Sequence, residues 1–469
     1  MVGWFQVRVL LIAYDNGAQV SEFPLGLGYL ASSLQTAGHE VKIYNQDVYH
    51  YSPEHLTQYL DNNYFDMVGL GVTAGYWQYK KLKEISQSVN NSKHRGHFLY
   101  VLGGHGPSPE PEYFLNISHA DVVVVGEGER TIVDLCDENK HELMSEIDGI
   151  AFIQDGKLIT TKPRELIKDL DSLSLPAWKL FPIDHYVLSP FPNMKHIDRT
   201  FPVLASRGCI YKCSFCYRMC PGIRFRSPKN VMKEIQQLKD RYHISYIFFY
   251  DELFMASVKR TTEMCNAIIE SKLDIRWGCD GRLNFAKPDV LQLMKKAGCV
   301  FINYGIESYD NNVLKNMHKN LTTDLIDKGL DATRQQGLSP GLNIIFGNKG
   351  DSIQTLQKGI QLIQKYNDYS QMRTIRPVSP YPGSELYYDA IKEGKLKGIA
   401  DFYENKHTNS DLLSVNFTNL TDEQFYTALF SANKTLIKDY LDHQYQGYID
   451  VMRKIYNEKD ASFRGFRHT

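Results

Sequence analysis

Short apolar runs alternate with amphipathic, helix-length segments along most of the chain. Residues 7–13 read as a buried strand that runs into a polar loop, 14–21. Leu27, Leu30, Ala31 and Leu34 then fall at helical spacing, and Gly38 is placed to stop the helix. Residues 40–44 are a second strand, so the chain opens as a β-α-β unit. Further strands are expected at 67–73, 98–102 and 121–125, each separated by a helix-length segment. This alternation predicts a parallel, doubly wound sheet with a ligand at the carboxyl ends of its strands. Gly103-Gly104 and Gly126-Glu127-Gly128-Glu129 mark two of those ends, where residues without a Cβ let a large ligand approach the backbone.

The pattern changes after residue 148. A hairpin is expected over 149–163 with Asp155-Gly156 as its turn, followed by an aromatic-pinned linker at 169–186. A second α/β series begins near Arg199, with strands at 201–205, 246–250, 275–278, 300–304, 342–346 and 372–378. Ser227 and Pro228 read as the N-cap and first residue of one of its helices. Six strand-helix units predict an incomplete β/α barrel with its active site at the carboxyl ends of the strands. Phe425, Leu429, Leu436 and Tyr440 give the C-terminal region helical spacing, as a lid or wall, while 454–469 is too charged to assign. The expected units are therefore 1–148, 149–198, 199–386 and 387–469.

With 469 residues the chain is too long for one ordinary domain, and 43% apolar residues with 12% aromatics supply ample core. A net charge of −1 offers no basic footprint, so no nucleic-acid partner is expected. The apolar run at 7–12 is far too short to span a bilayer and is broken by Arg8. No signal-peptide layout is present at the start, and the expected compartment is a reducing cytoplasm.

The most specific chemistry lies in Cys209-Ile-Tyr-Lys-Cys213-Ser-Phe-Cys216, directly after the first strand of the second series. Three thiolates on one short loop can hold three corners of a [4Fe–4S] cubane and leave the fourth iron open. With Cys220 the same loop could instead supply a closed, tetrahedral zinc site. Zinc knuckles usually come as two pairs separated by a longer gap, which this loop lacks. Cys136, Cys265, Cys279 and Cys299 are scattered through core-like segments and read as buried free thiols.

The Cys-x3-Cys-x2-Cys spacing, with Phe215 before the last cysteine, resembles the motif of the radical S-adenosylmethionine (SAM) superfamily. Gly103-Gly104-His105-Gly106-Pro107 and Gly126-Glu127-Gly128-Glu129 resemble the cobalamin-binding domain that precedes the barrel in one large branch of it, as do Phe23-Pro24-Leu25-Gly26-Leu27 and Val72-Thr73-Ala74. The implied fold is a Rossmann-like cobalamin-binding domain, a partial (β/α)6 radical SAM barrel and a mostly helical C-terminal segment. The resemblance implies that Cys209, Cys213 and Cys216 hold the cluster and that SAM meets Phe215, Asp251, Glu252, Arg282, Glu307 and Gly347. It also implies that cobalamin lies against Thr73, Gly103, Gly104, His105, Gly126, Glu127, Gly128 and Glu129.

Two departures stand out. The loop Asp47-Val48-Tyr49-His50-Tyr51-Ser52 lacks the Asp-x-His-x-x-Gly pattern that ligates cobalt from below, so His50 is expected to be a surface residue. Gly347-Asn348-Lys349-Gly350-Asp351 stands where the branch usually has Gly-Leu-Pro-Gly-Glu.

The implied activity is methyl transfer to a carbon centre of a small molecule, through a 5′-deoxyadenosyl radical and methylcobalamin, with electrons from a flavodoxin- or ferredoxin-type donor. No side-chain acid or base is required, and none is assigned. A non-methylating oxidation, cyclisation or rearrangement with the same cofactors remains open, as does a non-catalytic cobalamin-binding sensor.

Overall fold

A computed structural model describes residues 6–18, 21–137 and 144–462. The first sheet has the order β2-β1-β3-β4-β5-β6-β7. Its strands are β1 (Arg8–Ala13), β2 (Glu40–Asn45), β3 (Met67–Gly71), β4 (Leu99–Gly103), β5 (Val122–Val124), β6 (Ile150–Gln154) and β7 (Lys157–Thr160). The first five run parallel, and helices α1 (Leu25–Thr36), α2 (Pro53–Asn62), α3 (Tyr76–Asn90), α4 (Pro111–Ser118) and α5 (Glu129–Asp134) lie between or after them. The order 2-1-3-4-5 places a topological switch point between β1 and β3, where a doubly wound sheet opens a crevice for a ligand.

The hairpin forms as expected, yet it does not begin a separate linker. Strand β6 pairs antiparallel with β5, Val123 opposite Ala151, so the hairpin completes the first sheet. The connecting segment therefore starts after Thr160. Phe23, at the entry to α1, packs against Phe181 of this connection and Phe201 of the second sheet, each at 4.9 Å between ring centroids. One apolar core thus runs from the first sheet through the connection into the barrel.

The second sheet contains β8 (Thr200–Val203), β11 (Tyr246–Phe249), β12 (Arg276–Gly281), β13 (Cys299–Glu307), β14 (Ser339–Phe346) and β15 (Arg376–Pro377). All are parallel and sit side by side in chain order, an open half-barrel backed by helices α6 (Pro228–Tyr242), α7 (Val258–Ser271), α8 (Pro288–Lys296), α9 (Thr323–Gln335) and α10 (Ile353–Tyr366). The last strand is shorter than the apolar run at 372–378 suggests. Pro377 has no N–H to give a ladder, and the backbone of Ile375 is bonded on both sides by the Asn433 amide, at 2.8 and 2.9 Å.

The C-terminal region contains α11 (Glu385–Lys392) and the 31-residue α12 (Asp422–Met452), which carries Asn433. Phe402, Tyr403, Val415 and Phe417 pack on the far face of the first sheet, so this region touches both domains. Among the described residues no helix is long and apolar enough to cross a membrane.

Candidate cofactor cleft and cysteine loop

A cleft of about 790 Å3 opens between the two sheets at the carboxyl ends of their strands. Thr73, Gly103, Gly104, His105, Gly126, Glu127, Gly128 and Glu129 all line it from the first domain. From the barrel come Gly208, Met219, Cys220, Tyr250, Asp251, Glu252 and Asp280. His50 is not among the lining residues; its half-exposed ring pairs with Asp15 at 3.2 Å.

Within this lining the residues play different parts. A Cβ on Gly104, at φ +99°, would strike the Val72 carbonyl, and one on Gly106 would come within 2.9 Å of the Thr73 carbonyl. These glycines let the loop after β4 lie on the end of β3. Gly126, at φ +92°, meets nothing within 4 Å on its Cβ side and leaves open space beside the cleft. The His105 ring stands edge-on to Tyr217 with centroids 6.1 Å apart, and burial pushes its pKa below the usual histidine value, favouring a neutral imidazole.

Glu127 and Glu129 line the cleft, and their carboxylates are held by arginines of the barrel. Arg207 donates to Glu127 at 2.9 Å and to Glu129 at 2.5 Å, and Arg224 donates to Glu127 at 2.9 Å. Burial alone would raise the Glu127 carboxyl, but the bonds from Arg224, the Ile167 amide and Arg207 outweigh it and hold the pKa down. Both arginines belong to the short antiparallel pair β9 (Ser206–Arg207) and β10 (Arg224–Phe225) that closes the base of the cysteine loop. The two glutamates therefore clamp the first domain onto that loop.

Gly208 has φ +87°, and a Cβ there would strike the Gly222 carbonyl, so the two ends of the loop can touch. Farther round, Ser214 is held through its N–H to the Met317 carbonyl at 3.0 Å and through its own carbonyl to the Leu386 N–H at 2.8 Å. Arg282 Nη1 lies 3.8 Å from the Cys213 sulfur, and Lys319 Nζ lies 5.7 Å from the Phe215 ring centroid. Neighbouring Cys216 holds the Cys213 thiol below its ordinary pKa against the effect of burial, with help from the Lys319 and Arg282 cations, and is itself raised in turn. Three thiols on one anchored loop with two cations to balance thiolate charge fit a [4Fe–4S] cluster.

Two further expectations need revision. Asp251 is 1% exposed and its carboxylate is already engaged, accepting from the Ala205 N–H at 2.6 Å and the Ser206 hydroxyl at 2.8 Å. Burial nevertheless raises its pKa to about 6. It positions the strand that enters the cysteine loop. Glu252 beside it faces the cleft, and burial raises its pKa. Gly347, at φ +105°, lies against the Phe425 ring, where a Cβ would come within 3.0 Å, so it seats helix α12 rather than lining the cleft.

Arg282 lies 3.5 Å from the Tyr211 ring centroid and also bonds the Lys319 carbonyl. Glu307, at φ +69°, pairs with Lys319 at 2.9 Å. Sequence reading had not singled out Lys319, Arg207 or Arg224. Lys319 is 12 residues from Glu307 in an unremarked loop, and only folding brings it under the cysteines.

A parallel half-barrel whose first strand feeds this three-cysteine loop, roofed by a doubly wound domain, defines a radical SAM enzyme. The Radical SAM superfamily model matches residues 203–363, and the B12 binding domain model matches residues 18–136. The chain thus carries a B12 binding domain followed by a radical SAM domain, and the cofactors of that pairing are a [4Fe–4S] cluster, SAM and cobalamin. It is 28% identical over 434 residues to the "uncharacterized methyltransferase PH0819" of Pyrococcus horikoshii, covering 90% of each chain. It is 25% identical to the anaerobic magnesium-protoporphyrin IX monomethyl ester cyclase of Rubrivivax gelatinosus, covering 82% of this chain and 70% of that one. The fold is also that of the radical SAM methyltransferase TsrM from Kitasatospora setae with cobalamin and a [4Fe–4S] cluster bound, at TM-score 0.71 and 15% identity, covering 92% of this chain and 89% of that one.

Proposed function

We propose that the protein is a cobalamin-dependent radical SAM methyltransferase acting on a carbon centre of a small molecule. The observation that carries this reading is the single cleft, which joins the glycine-lined end of the first sheet to the mouth of the half-barrel beside the cysteine loop. When bound, the cluster with SAM supplies carbon-radical chemistry and cobalamin supplies a methyl group, work that no side-chain acid or base can do on an unactivated C–H bond.

In this reading Cys209, Cys213 and Cys216 hold the cluster, with Arg282 and Lys319 balancing their charge. Glu252, Glu307, Arg282 and Phe215 surround SAM, while Thr73, His105 and the backbone at Gly103, Gly104, Gly126 and Gly128 bound the corrin side. Arg207 and Arg224 lock the two halves so that both cofactors address one space. We take the cobalamin-binding unit to end at Thr160 and the barrel to begin at Thr200. The electron source is assigned to a flavodoxin- or ferredoxin-type donor and the compartment to a reducing cytoplasm, in line with eight cysteines that are all free.

Likeness to the Rubrivivax cyclase supports a second reading, in which the same cofactors drive a reaction without methyl transfer. Reconstituted enzyme given SAM with a labelled methyl group separates the two. Label in the product carbon with release of S-adenosylhomocysteine supports methyl transfer, and 5′-deoxyadenosine as the sole SAM product supports the second reading.

A further inference from the structure

Helix α12 has two apolar faces. Phe425, Leu429, Ala432 and Leu436 form the seated one and are buried in the core shared with the barrel. About 150° round the helix from them stand Phe430, Leu441, Tyr445, Tyr448 and Met452. Each of these five is between 41% and 69% exposed, and half-buried Ile437 lies in the same line. A helix that packs only on its own body presents a polar outer face. Here large apolar side chains line the outer face from Phe430 to Met452, a length of roughly 33 Å. We propose, independently of the reaction the enzyme performs, that this stripe is a homodimer contact. Helix α12 of one protomer packs antiparallel on α12 of a second copy, with the twofold axis at Leu441.

Spacing along the stripe selects its occupant. Counted outward from Leu441, stripe positions fall four, seven and eleven residues away in both directions. Toward the N-terminus these are Ile437, Lys434 and Phe430, and toward the C-terminus Tyr445, Tyr448 and Met452. A pattern that reads the same both ways is what an isologous contact between antiparallel helices requires. It sets Phe430 against the partner's Met452, Ile437 against the partner's Tyr445, and Leu441 against its own copy. Lys434, the one charge inside the stripe, meets the ring of the partner's Tyr448, where a cation is attracted to the aromatic face. At the rim, Lys438 pairs with Asp442 of its own helix and lies within a turn of the partner's Asp442 in this register.

Area and charge agree with a second copy. The five exposed side chains offer roughly 600 Å2 of apolar surface per protomer, so a pair buries about 1,200 Å2, the lower edge of specific interfaces. The seated face is turned away from the stripe, so the approach of a second helix leaves the barrel contact intact. Helix α12 has two lysines against five acidic residues, a balance that repels an anionic membrane surface or another polyanion. A chain whose net charge is −1 does little to repel its own copy.

Sedimentation velocity of the full-length protein over a wide concentration range tests the contact. The mass is expected to rise toward twice 54.0 kDa with concentration. Leu441→Asp opposes two carboxylates at the axis and is expected to weaken association at least about a hundredfold, and Lys434→Glu about tenfold. Leu441→Cys is expected to form an intermolecular disulfide on mild oxidation with diamide, above any cross-link the parent makes through its own cysteines. A monomer at every concentration overturns the proposal, as does a dimer indifferent to both charge substitutions or one that Leu441→Cys does not cross-link. Binding of the parent, but not of Leu441→Asp, to anionic vesicles with no dimer in solution assigns the stripe to a lipid surface and overturns it equally. So does a protein that dimerises only once residues 463–469 are removed, since the chain's own end is then the occupant. Lys434→Glu and the oxidation carry the test if Leu441→Asp fails to fold, which circular dichroism reports.

Discussion

Arg207 and Glu127, 80 residues apart in the chain, form an ion pair at 2.9 Å across the boundary between the two sheets. The arginine stands two residues before Cys209, and the glutamate follows the fifth strand of the first sheet. Cofactor geometry on one side is therefore tied to that on the other by a buried charge pair, and removal of one partner leaves the other charge without its full complement.

Substitution of Arg207 by alanine is expected to lower stability by about 3 kcal/mol, the usual scale for breaking one half of a buried pair. Chemical denaturation checks this. Glu127→Gln is expected to cost less, because Gln still accepts from Arg224 or Arg207. The Arg207→Ala enzyme should also hold cobalamin more weakly, read by retention of corrin absorption after gel filtration.

Replacing Cys209, Cys213 or Cys216 singly by serine is expected to abolish the cluster, whereas Cys220→Ser should retain about four irons per chain. Iron and sulfide analysis of anaerobically reconstituted protein gives the answer. Loss of metal in the Cys220 variant to the same degree as in the others would favour the four-cysteine site instead.

His407 carries a pH effect on stability. Its ring is 1% exposed among Tyr76, Tyr381 and Phe402, neither nitrogen has a hydrogen-bond partner among the described residues, and burial lowers its pKa from 6.5 to about 4. The unfolded chain takes up the proton first as pH falls. Stability is therefore unaffected by this group above pH 6.5 and is lost between there and pH 4, by roughly 1.4 kcal/mol per pH unit. Denaturation midpoints of the parent and of His407→Phe should diverge over that window and run parallel above it.

Helix α12 is seated by Phe425, whose ring stacks on Phe346 of β14 at 4.8 Å between centroids and covers Gly347. Phe425→Ala is expected to destabilise by about 3–5 kcal/mol, the range for emptying a buried aromatic site. Gly347→Ala should also destabilise, both from its φ of +105° and from contact with that ring. Thermal unfolding of the two variants measures these effects.

Much of the fold was legible in the apolar periodicity, because parallel strands buried on both faces read as short continuous runs. All five parallel strands of the first sheet and the first five of the second fall within a few residues of where those runs lie. The cysteine loop was legible for a different reason: its donors are adjacent in sequence. What local pattern could not supply was the use of side chains that meet across long separations. Glu127 and Glu129 look like ligand-facing groups until Arg207 and Arg224 are seen to occupy them. Gly347 looks like part of a cofactor loop until Phe425, far along the chain, is seen against it. The alignment of Asp280 with Asn303 and Asn343 likewise depends on the register of three strands, which no local pattern states.

The Asn433 amide clasping both backbone groups of Ile375 has a bearing on how the sheet border meets other molecules. A half-barrel ends in an unpaired strand, and bare N–H and C=O groups at such a border invite a strand from another molecule. Here one side chain from a helix imitates the missing neighbour just before β15, and Pro377 withholds a donor within it. The C-terminal region thus acts as a hem on the sheet, and shortening the chain before residue 433 would leave that border free to recruit further copies.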